Sequence, residues 1–390
     1  MNRTPRTEPF TIRIPQAALD DLRGRLARTR WAPDYANDGW EYGVADGYLR
    51  ELVDYWIHRF DWRAQEAAMN AYPHFRATID GIPIHFIHVR GKGPAPMPLI
   101  LSHGWPWTFW DYEAMIRPLA DPAAFGGDPR DAFDVIVPSL PGFVFSGPLR
   151  TAGIGYRQTA ALWVRLMRDV LGYDRFAAQG GDAGAFVTAD LGHSHAEHMI
   201  GVHLSFPILP GLNVLDIRRE DYAEDEVQWF DRRDVAGRNL THLWVHTLEP
   251  QTIAWAMHDS PVGQAAWMLH RRRAWSDCGG DVERRFSKDR LLTSFSLYWL
   301  TESFATAIRA YAASRFLEGV PPIHDRRPAL PVPTGIAVFP HELVHIPRRI
   351  AERHANLVQW TVMPRGGHFA PAEEPELLVE DVRSLFRGLR

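Results

Sequence analysis

The stretch FAAQGGDAGAFVT, residues 176–188, places an aspartate between glycines, directly after an apolar run and before a helical one. Gly180 and Gly184 are the small residues that let a strand turn sharply into a helix and expose the side chain at the bend, here Asp182. A carboxylate exposed in this way can attack a tetrahedral carbon and displace a leaving group, which leaves an alkyl ester on the enzyme. The pattern therefore predicts Asp182 as a nucleophile.

Hydrolysis of such an ester needs a base for water, an acid that orients the base, and amide donors for the oxyanion. Glu342 follows the apolar run IAVF, and His368 lies in a glycine-rich loop after VQWTVM. The order of nucleophile, acid and histidine is the order that α/β-hydrolases use. We expect Glu342 to orient His368, and the amides of Trp105 (in SHGWP) and Ala183 to form an oxyanion hole.

The elements that must position these residues are short apolar runs bounded by glycine or proline. They alternate with helical segments and include MPLILSHGWP, FDVIVPSLPGF, RFAAQGGDAG, MIGVHLSF and PTGIAVFPHE. Buried strands that alternate with helices indicate a mostly parallel sheet covered on both faces, so the predicted fold class is α/β. Asp80-Gly81 within FRATIDGIPIHFIHVRG predicts a hairpin before this core.

Four regions are expected along the chain. Residues 1–95 form an N-terminal helical meander and the leading hairpin, residues 96–206 the first part of the core, residues 207–330 a helical lid, and residues 331–390 the second part of the core. The lid is predicted because the alternation of strands and helices stops there. A helical insertion of this kind would cover the carboxyl edge of the sheet, where open α/β proteins bind their ligands.

Composition and charge narrow the possible partners. The formal net charge is −4 and no basic tract is present, which argues against a nucleic-acid partner. No uncharged apolar run of about 18 residues and no signal peptide is visible, so a soluble, cytoplasmic protein without a membrane partner is expected. Cys278 is the only cysteine, and neither the histidines at 193, 195 and 198 nor the His242/His246 pair has convincing ligand spacing. No metal and no cofactor are predicted, and a homodimer is one candidate oligomeric state.

Taken together, these motifs resemble the α/β-hydrolase-fold epoxide hydrolases of the microsomal type, which include juvenile-hormone epoxide hydrolases and bacterial relatives. HGWP, PSLPGFVFSGP, QGGDAG, DSPVG and RGGHFAPAEEPELL look like the characteristic segments of that family, and the resemblance covers nearly the whole chain. It implies conversion of an epoxide to a vicinal diol, with Asp182 as nucleophile, His368 as water-activating base and Glu342 as its acid partner.

Ring opening liberates an alkoxide, which needs a proton or a strong hydrogen bond during attack. The family uses lid tyrosines, and the resemblance places one at Tyr311. The other falls on or near His242 in NLTHLWVHT, and an imidazole there is expected to titrate near neutral pH. The register is open by one helical turn. Tyr311 could also act alone, with His242 or Trp244 only shaping the pocket.

Aromatic residues are expected to line the substrate cleft, although core packing would explain several of them equally well. These residues are Trp105, Trp107, Phe143, Phe145 and Trp244. They favour an apolar, aromatic-bearing epoxide as substrate. The Ala- and Arg-rich composition is associated with high-GC bacteria, in which such enzymes often serve natural-product pathways, including antibiotic biosynthesis, or detoxification.

Two other classes of function are less favoured. Haloalkane dehalogenases share the aspartate, histidine and acid, but they typically hold the halide with an indole N–H beside the nucleophile, where this chain has Ala183. Trp105 and Trp107 could still approach a halide. A non-catalytic binding protein of the same fold usually lacks the nucleophile, the base or the acid, and all three are present here.

Overall fold

The structure is a computed structural model that describes residues 7–316 and 319–390. Residues 1–6, within the predicted meander, and residues 317–318, within the predicted lid, lie outside the described residues. For residues 234–236 the backbone alone is described.

A nine-stranded sheet forms the centre of the structure, in the order β1-β2-β3-β5-β4-β6-β7-β8-β9. The pairs β1/β2, β2/β3 and β3/β5 are antiparallel, and all pairs from β5 across to β9 are parallel. The predicted α/β class with a mostly parallel sheet is therefore confirmed. The strands are β1 (Glu8–Phe10), β2 (His74–Ile79), β3 (Ile82–Val89), β4 (Met97–Ser102), β5 (Phe133–Pro138), β6 (Phe176–Gly180), β7 (Met199–Leu204), β8 (Leu330–Val338) and β9 (Ala355–Val362).

The N-terminal region supplies three helices and the antiparallel edge of the sheet. The helices are α1 (Gln16–Ala27), α2 (Asp46–His58) and α3 (Trp62–Asn70). Between β2 and β3, Asp80 and Gly81 have φ angles of 52° and 80°, and two successive positive φ angles are the mark of the tight hairpin that Asp-Gly favours. This confirms the predicted hairpin. The three-residue strand β1, which pairs with β2, was not predicted because it is too short to show a period.

Helices cover both faces of the parallel part of the sheet. They are α4 (Glu113–Ala120), α5 (Tyr156–Arg165), α6 (Ala183–Ser194), α14 (Arg348–His354), α15 (Ala370–Glu373) and α16 (Pro375–Arg387). All five residues of β6 are buried, because a central parallel strand has helices on both sides and does not alternate apolar with polar residues. The strand end that carries the nucleophile position is therefore held in a rigid, dry environment.

The described residues between β7 and β8 form seven α-helices, namely α7 (Val227–Asp231), α8 (Arg233–Arg238), α9 (Thr241–Leu248), α10 (Pro250–Asp259), α11 (Pro261–Trp275), α12 (Lys288–Leu300) and α13 (Phe304–Ser314). Among the residues that the structure describes between Leu204 and Leu330, none is in a strand. Ser260 caps α11 by accepting from the Gly263 amide, and Pro261 follows at the first helical position. This is a favourable helix start, because the cap uses an amide that the helix leaves free and proline has none.

Candidate active site

Asp182 occupies the bend between β6 and α6 with φ 49° and ψ −130°, an unfavourable conformation for a residue with a side chain. The close approach of other backbone segments explains the surrounding glycines. A side chain on Gly184 would collide with the Ser102 carbonyl at the end of β4, and one on Gly104 would strike the Asp182 carboxylate. The sequence therefore permits the sharp turn that aims Asp182 away from the sheet.

A backbone amide holds one oxygen of this carboxylate. The Trp105 amide donates to Asp182 Oδ1 over 2.7 Å. Ala183 is the first residue of α6, so its amide is one of the N-terminal donors that have no acceptor within the helix. Both predicted oxyanion donors thus adjoin Asp182. Oδ1 is the held oxygen, and Oδ2 is directed elsewhere.

His368 lies between two carboxylates. Its Nε2 is 3.1 Å from Asp182 Oδ2, and its Nδ1 is 2.6 Å from Glu342 Oε1. A backbone bridge between His341 and Gly367 brings the loop after β8 against the loop after β9. The structure therefore brings together the predicted nucleophile, base and acid, although they are far apart in the sequence.

The charges around His368 favour its protonated form. Burial alone would lower the pKa of this imidazole, but Glu342 and Asp182 outweigh it and raise the pKa to about 10. Burial also raises the pKa of Glu342, and the adjacent imidazole opposes that shift. With Asp182 ionised, we therefore expect His368 to hold a proton and to donate to both carboxylates.

Tyr311, on α13, is buried above this group. Its hydroxyl has no hydrogen-bond partner in the described part of the chain, and its ring lies 6.3 Å from that of Trp105. Burial, followed by the negative charge of Asp182, raises the pKa of the Tyr311 phenol well above its ordinary value. The phenol therefore stays protonated and is available as a donor.

His242 and His246 project from one face of α9 and are both buried. The His242 ring stacks on Trp105 at 5.5 Å, and the His246 ring lies 5.0 Å from Tyr311. Burial lowers the pKa of both imidazoles well below the ordinary value. The expectation that His242 titrates near neutral pH is wrong, because desolvation disfavours its charged form.

The tautomer of His246 follows from one contact. The Trp267 indole N–H donates to His246 Nε2 over 3.0 Å. Since an indole nitrogen only donates, a neutral His246 must carry its proton on Nδ1. That nitrogen is buried and has no partner among the described residues. His246 thus also presents an N–H beside Tyr311.

The predicted aromatic lining divides into two groups. Trp107 lies 5.5 Å from the His368 ring, and Phe143 lines a mostly apolar cavity together with Ala183 and Tyr311. Phe145 does not share that cavity, because its ring packs against Phe10 of β1 and His85 of β3.

Trp244 also departs from its predicted place in the substrate cleft. It is 61% exposed. It lies between His242 and His246 on α9, and two residues along a helix turn a side chain to the opposite face. Trp244 is therefore not placed to line the cleft.

Sequence reasoning missed a set of contacts behind the histidine. Trp275 and Asp277, at the end of α11, and Glu373, in α15, hydrogen-bond to the backbone around His368. The available signal was the acidic pair in GGHFAPAEEP, directly after the histidine loop.

Within residues 7–316 and 319–390, no group of three or more histidine, cysteine or acidic side chains is arranged to hold a metal ion. No helix of this described part is long and apolar enough to span a bilayer.

Fold and site together define an α/β-hydrolase with an aspartate at the nucleophile position, and comparisons with known proteins give the family. The profile of the epoxide hydrolase N terminus matches residues 7–112, and that of the alpha/beta hydrolase fold matches residues 97–214. A protein of Stigmatella aurantiaca (strain DW4/3-1) that is named for epoxide hydrolysis is 40% identical over 98% of this chain and 85% of its own. Epoxide hydrolase 1 of Oryctolagus cuniculus is 34% identical over 96% of this chain and 87% of its own.

A solved structure agrees with these sequence matches. The juvenile hormone epoxide hydrolase of the silkworm Bombyx mori superimposes with a TM-score of 0.88 at 26% identity, covering 98% of this chain and 95% of the silkworm chain. The chain therefore belongs to the microsomal-type epoxide hydrolases of the α/β-hydrolase fold, and its activity is the hydrolysis of epoxides.

Proposed function

We propose that this enzyme hydrolyses its epoxide through a covalent ester on Asp182. The main support for this proposal is that the two oxygens of the Asp182 carboxylate have different partners. The Trp105 amide donates to Oδ1, and His368 Nε2 lies 3.1 Å from Oδ2. Oδ2 is thus the oxygen available for attack on a ring carbon. The carbon–oxygen bond of the ring then breaks, and its oxygen leaves with the electron pair.

The second half of the reaction uses the same groups in new roles. Once Asp182 is an ester it carries no charge, so His368 loses one of the two carboxylates that raise its pKa and can release its proton. That proton balances the one gained by the departing ring oxygen. Neutral His368 then takes a proton from water, and the resulting hydroxide attacks the ester carbonyl. The charge on Oδ1 is stabilised by the amides of Trp105 and Ala183. The bond from the aspartyl carbon to the diol oxygen then breaks, the proton of the added hydroxyl passes to that oxygen, and the diol leaves as Asp182 regains its charge.

The departing ring oxygen is proposed to receive its hydrogen bonds from the lid. Tyr311 supplies an O–H that is buried and unpartnered in the described structure. A second donor is proposed from α9, where the family resemblance assigns a position on or near His242, and His246 presents a fixed Nδ1–H one turn later. Neutral imidazoles serve this role without adding charge, because burial keeps the pKa of both well below the ordinary value.

The walls of a small cavity beside Ala183, with about 20 Å³ of free space, support the proposed substrate class. Its walls include Leu140, Phe143, Ile154 and Phe316, with the Tyr311 ring on the lid side. Among the described residues these walls offer no charged partner to a substrate, and they favour burial of apolar or aromatic surface. We therefore propose an apolar epoxide, with an aromatic substituent as the favoured case.

Styrene oxide is the direct test of this proposal. The purified enzyme should form phenylethane-1,2-diol, and glycidol, a small polar epoxide, should be converted with a kcat/KM at least about tenfold lower because it buries less apolar surface. An Asp182→Asn variant is the matched control for background hydrolysis. A preference for glycidol would contradict the substrate class. Conversion of styrene oxide by the Asn variant at the wild-type rate would contradict the mechanism.

One observation supports dehalogenation as a second candidate activity. The indole N–H groups of Trp105 and Trp107 are both buried without a partner among the described residues, and two such donors could hold a halide. Incubation with 1,2-dibromoethane and measurement of released bromide tests this alternative. We expect no bromide above the level of the Asp182→Asn control, and release comparable to diol formation would show dehalogenase activity.

A further inference from the structure

A second connection between the lid and the catalytic machinery lies behind His368. The Asp277 amide, just beyond α11, donates to Glu373 Oε2 over 2.7 Å, and the Phe369 amide donates to Glu373 Oε1 over 2.9 Å. Asp277 returns the interaction, because its Oδ2 accepts from the Gly366 amide over 2.9 Å. One carboxylate from the lid and one from the core thus each bind the backbone of the other region.

The histidine loop depends on these contacts for its shape. Two glycines precede His368, and Gly366 has a φ of 103°, so the loop backbone has little conformational preference of its own. The His368 amide donates to the Trp275 carbonyl over 3.0 Å. A side chain on Gly367 would come within 2.8 Å of both Trp275 O and Asp277 N. The loop is therefore built to lie against the end of α11.

We propose that Glu373 and Asp277 form a latch that joins the lid to the histidine loop and holds His368 in register with the ester on Asp182. Both are positioning residues, since neither reaches the reacting atoms. The inference rests on the proposed function, in which His368 activates water. Misplacement of a general base by about 1 Å is enough to slow a proton transfer substantially, so the latch should matter most for ester hydrolysis.

The latch requires an ionised Glu373. Each of its two oxygens accepts one backbone N–H, and a protonated carboxyl would place a hydrogen on one of them. Burial raises the pKa of Glu373 to about 7. The carboxylate therefore gains a proton as the pH falls through about 7, a range in which exposed glutamates stay ionised.

Other charged groups face the latch from the surrounding elements. Arg285 pairs with Asp277 at 2.9 Å and with Glu374 at 2.7 Å, Arg365 pairs with Glu374 at 2.9 Å, and His341 lies 3.2 Å from Asp277. His368 itself stands one residue from Phe369. A comparison of variant and wild type at the same pH removes the titration of these groups from the measurement.

The test is a single-turnover experiment on Glu373→Gln with styrene oxide, in which rapid quenching separates ester formation from ester hydrolysis. Glutamine keeps the size of the side chain but cannot accept on both arms. We expect hydrolysis to slow about tenfold at about pH 8.5 and to lie within about twofold of wild type at about pH 6, where wild-type Glu373 is itself protonated. Ester formation should change by less than about twofold at both pH values.

The matched control is Glu376→Gln, the same exchange at an exposed position three residues away, which should leave both steps unchanged. A slowing of hydrolysis that is equal at the two pH values, or no slowing, would overturn the latch. Absence of any ester on Asp182 in the wild-type enzyme would instead overturn the proposed function. If Glu373→Gln does not fold, the same two rates are measured for Asp277→Asn. We expect ester hydrolysis to be slower than in wild type and ester formation to be unchanged. Equal hydrolysis rates there would also overturn the latch.

Discussion

The triad and the lid donors differ in how their polar atoms are satisfied. Around the triad, Asp182 Oδ1, both nitrogens of His368 and Glu342 Oε1 all have partners at 2.5–3.1 Å. On the lid side, the Tyr311 hydroxyl and the Nδ1 atoms of His242 and His246 are buried with no partner in the described part of the chain. In the proposed mechanism, the triad is organised before substrate arrives, whereas the unpartnered polar atoms of the lid are available for a group that the substrate brings.

The unpartnered polar atoms of the lid carry an energetic cost, which a bound substrate would offset by hydrogen bonding to them. Leaving a buried donor without a partner costs about 1–3 kcal/mol each. An epoxide oxygen, and still more the alkoxide that it becomes, would supply the missing acceptor. Interactions that strengthen as charge develops on that oxygen speed the chemical step rather than merely tightening binding.

The largest effect should come from breaking the triad side. In Asp182→Asn the amide side chain is a very poor nucleophile, so we expect diol formation from styrene oxide to fall by about 10⁴-fold or more. Diol measured by chromatography at saturating substrate checks this. Residual activity above about 1% of wild type would mean that water, rather than this carboxylate, attacks the ring.

The second-largest effect should come from removing the Tyr311 hydroxyl on the lid side. Tyr311→Phe should slow ester formation by about 10²- to 10³-fold and leave ester hydrolysis within about twofold, because the phenol acts only on the ring oxygen. Rapid-quench kinetics separates the two steps. Tyr173→Phe is the matched control, since the Tyr173 hydroxyl donates to Asp134 near the start of β5, at the end of that strand opposite the site, and both steps should remain unchanged. Slower ester hydrolysis with normal ester formation in Tyr311→Phe would contradict this role and show that the phenol acts in the second half of the reaction.

A smaller effect distinguishes the two histidines of α9. His242→Phe should slow ester formation about tenfold if His242 is the second donor, and His246→Phe should then cost less than about threefold. The reverse order would move the role to His246, whose tautomer Trp267 fixes. Equal rates for wild type and both variants would leave Tyr311 as the single lid donor.

The smallest effect concerns a residue that the sequence placed in the cleft. Trp244 is 61% exposed, so Trp244→Ala should change kcat/KM for styrene oxide by less than about twofold. Steady-state kinetics on the purified variant is sufficient. A loss of tenfold or more in KM alone would show that substrate touches this outer face of α9.

The sequence was sufficient where chemistry and local backbone coincide. Asp182 could be placed because the small residues of a strand-to-helix bend surround it, and Glu342 and His368 because each follows an apolar strand. The same logic failed for Trp244. The face of α9 that points towards the core carries His242 and His246, and the sequence alone does not show which face that is. It failed for Phe145, because its ring packs against Phe10 of β1 and His85 of β3, a contact that depends on how the loop after β5 meets the antiparallel edge of the sheet.

Long-range partners were beyond reach for a related reason. Asp277 and Glu373 are 96 positions apart, and each fits an ordinary exposed turn or helix end when read alone. Only the packing of α11 against the loop after β9 makes them neighbours. Motifs that lie within one bend are therefore visible in a sequence, whereas contacts that depend on how two elements meet are not.

The most direct test of the account is the mass of His368→Gln after incubation with styrene oxide. One equivalent of epoxide should be attached to the peptide that contains Asp182, because attack proceeds while hydrolysis of the ester stalls. The Asp182→Asn/His368→Gln double variant should carry no adduct. An unmodified Asp182 peptide in a His368→Gln enzyme that still consumes epoxide would contradict the covalent mechanism.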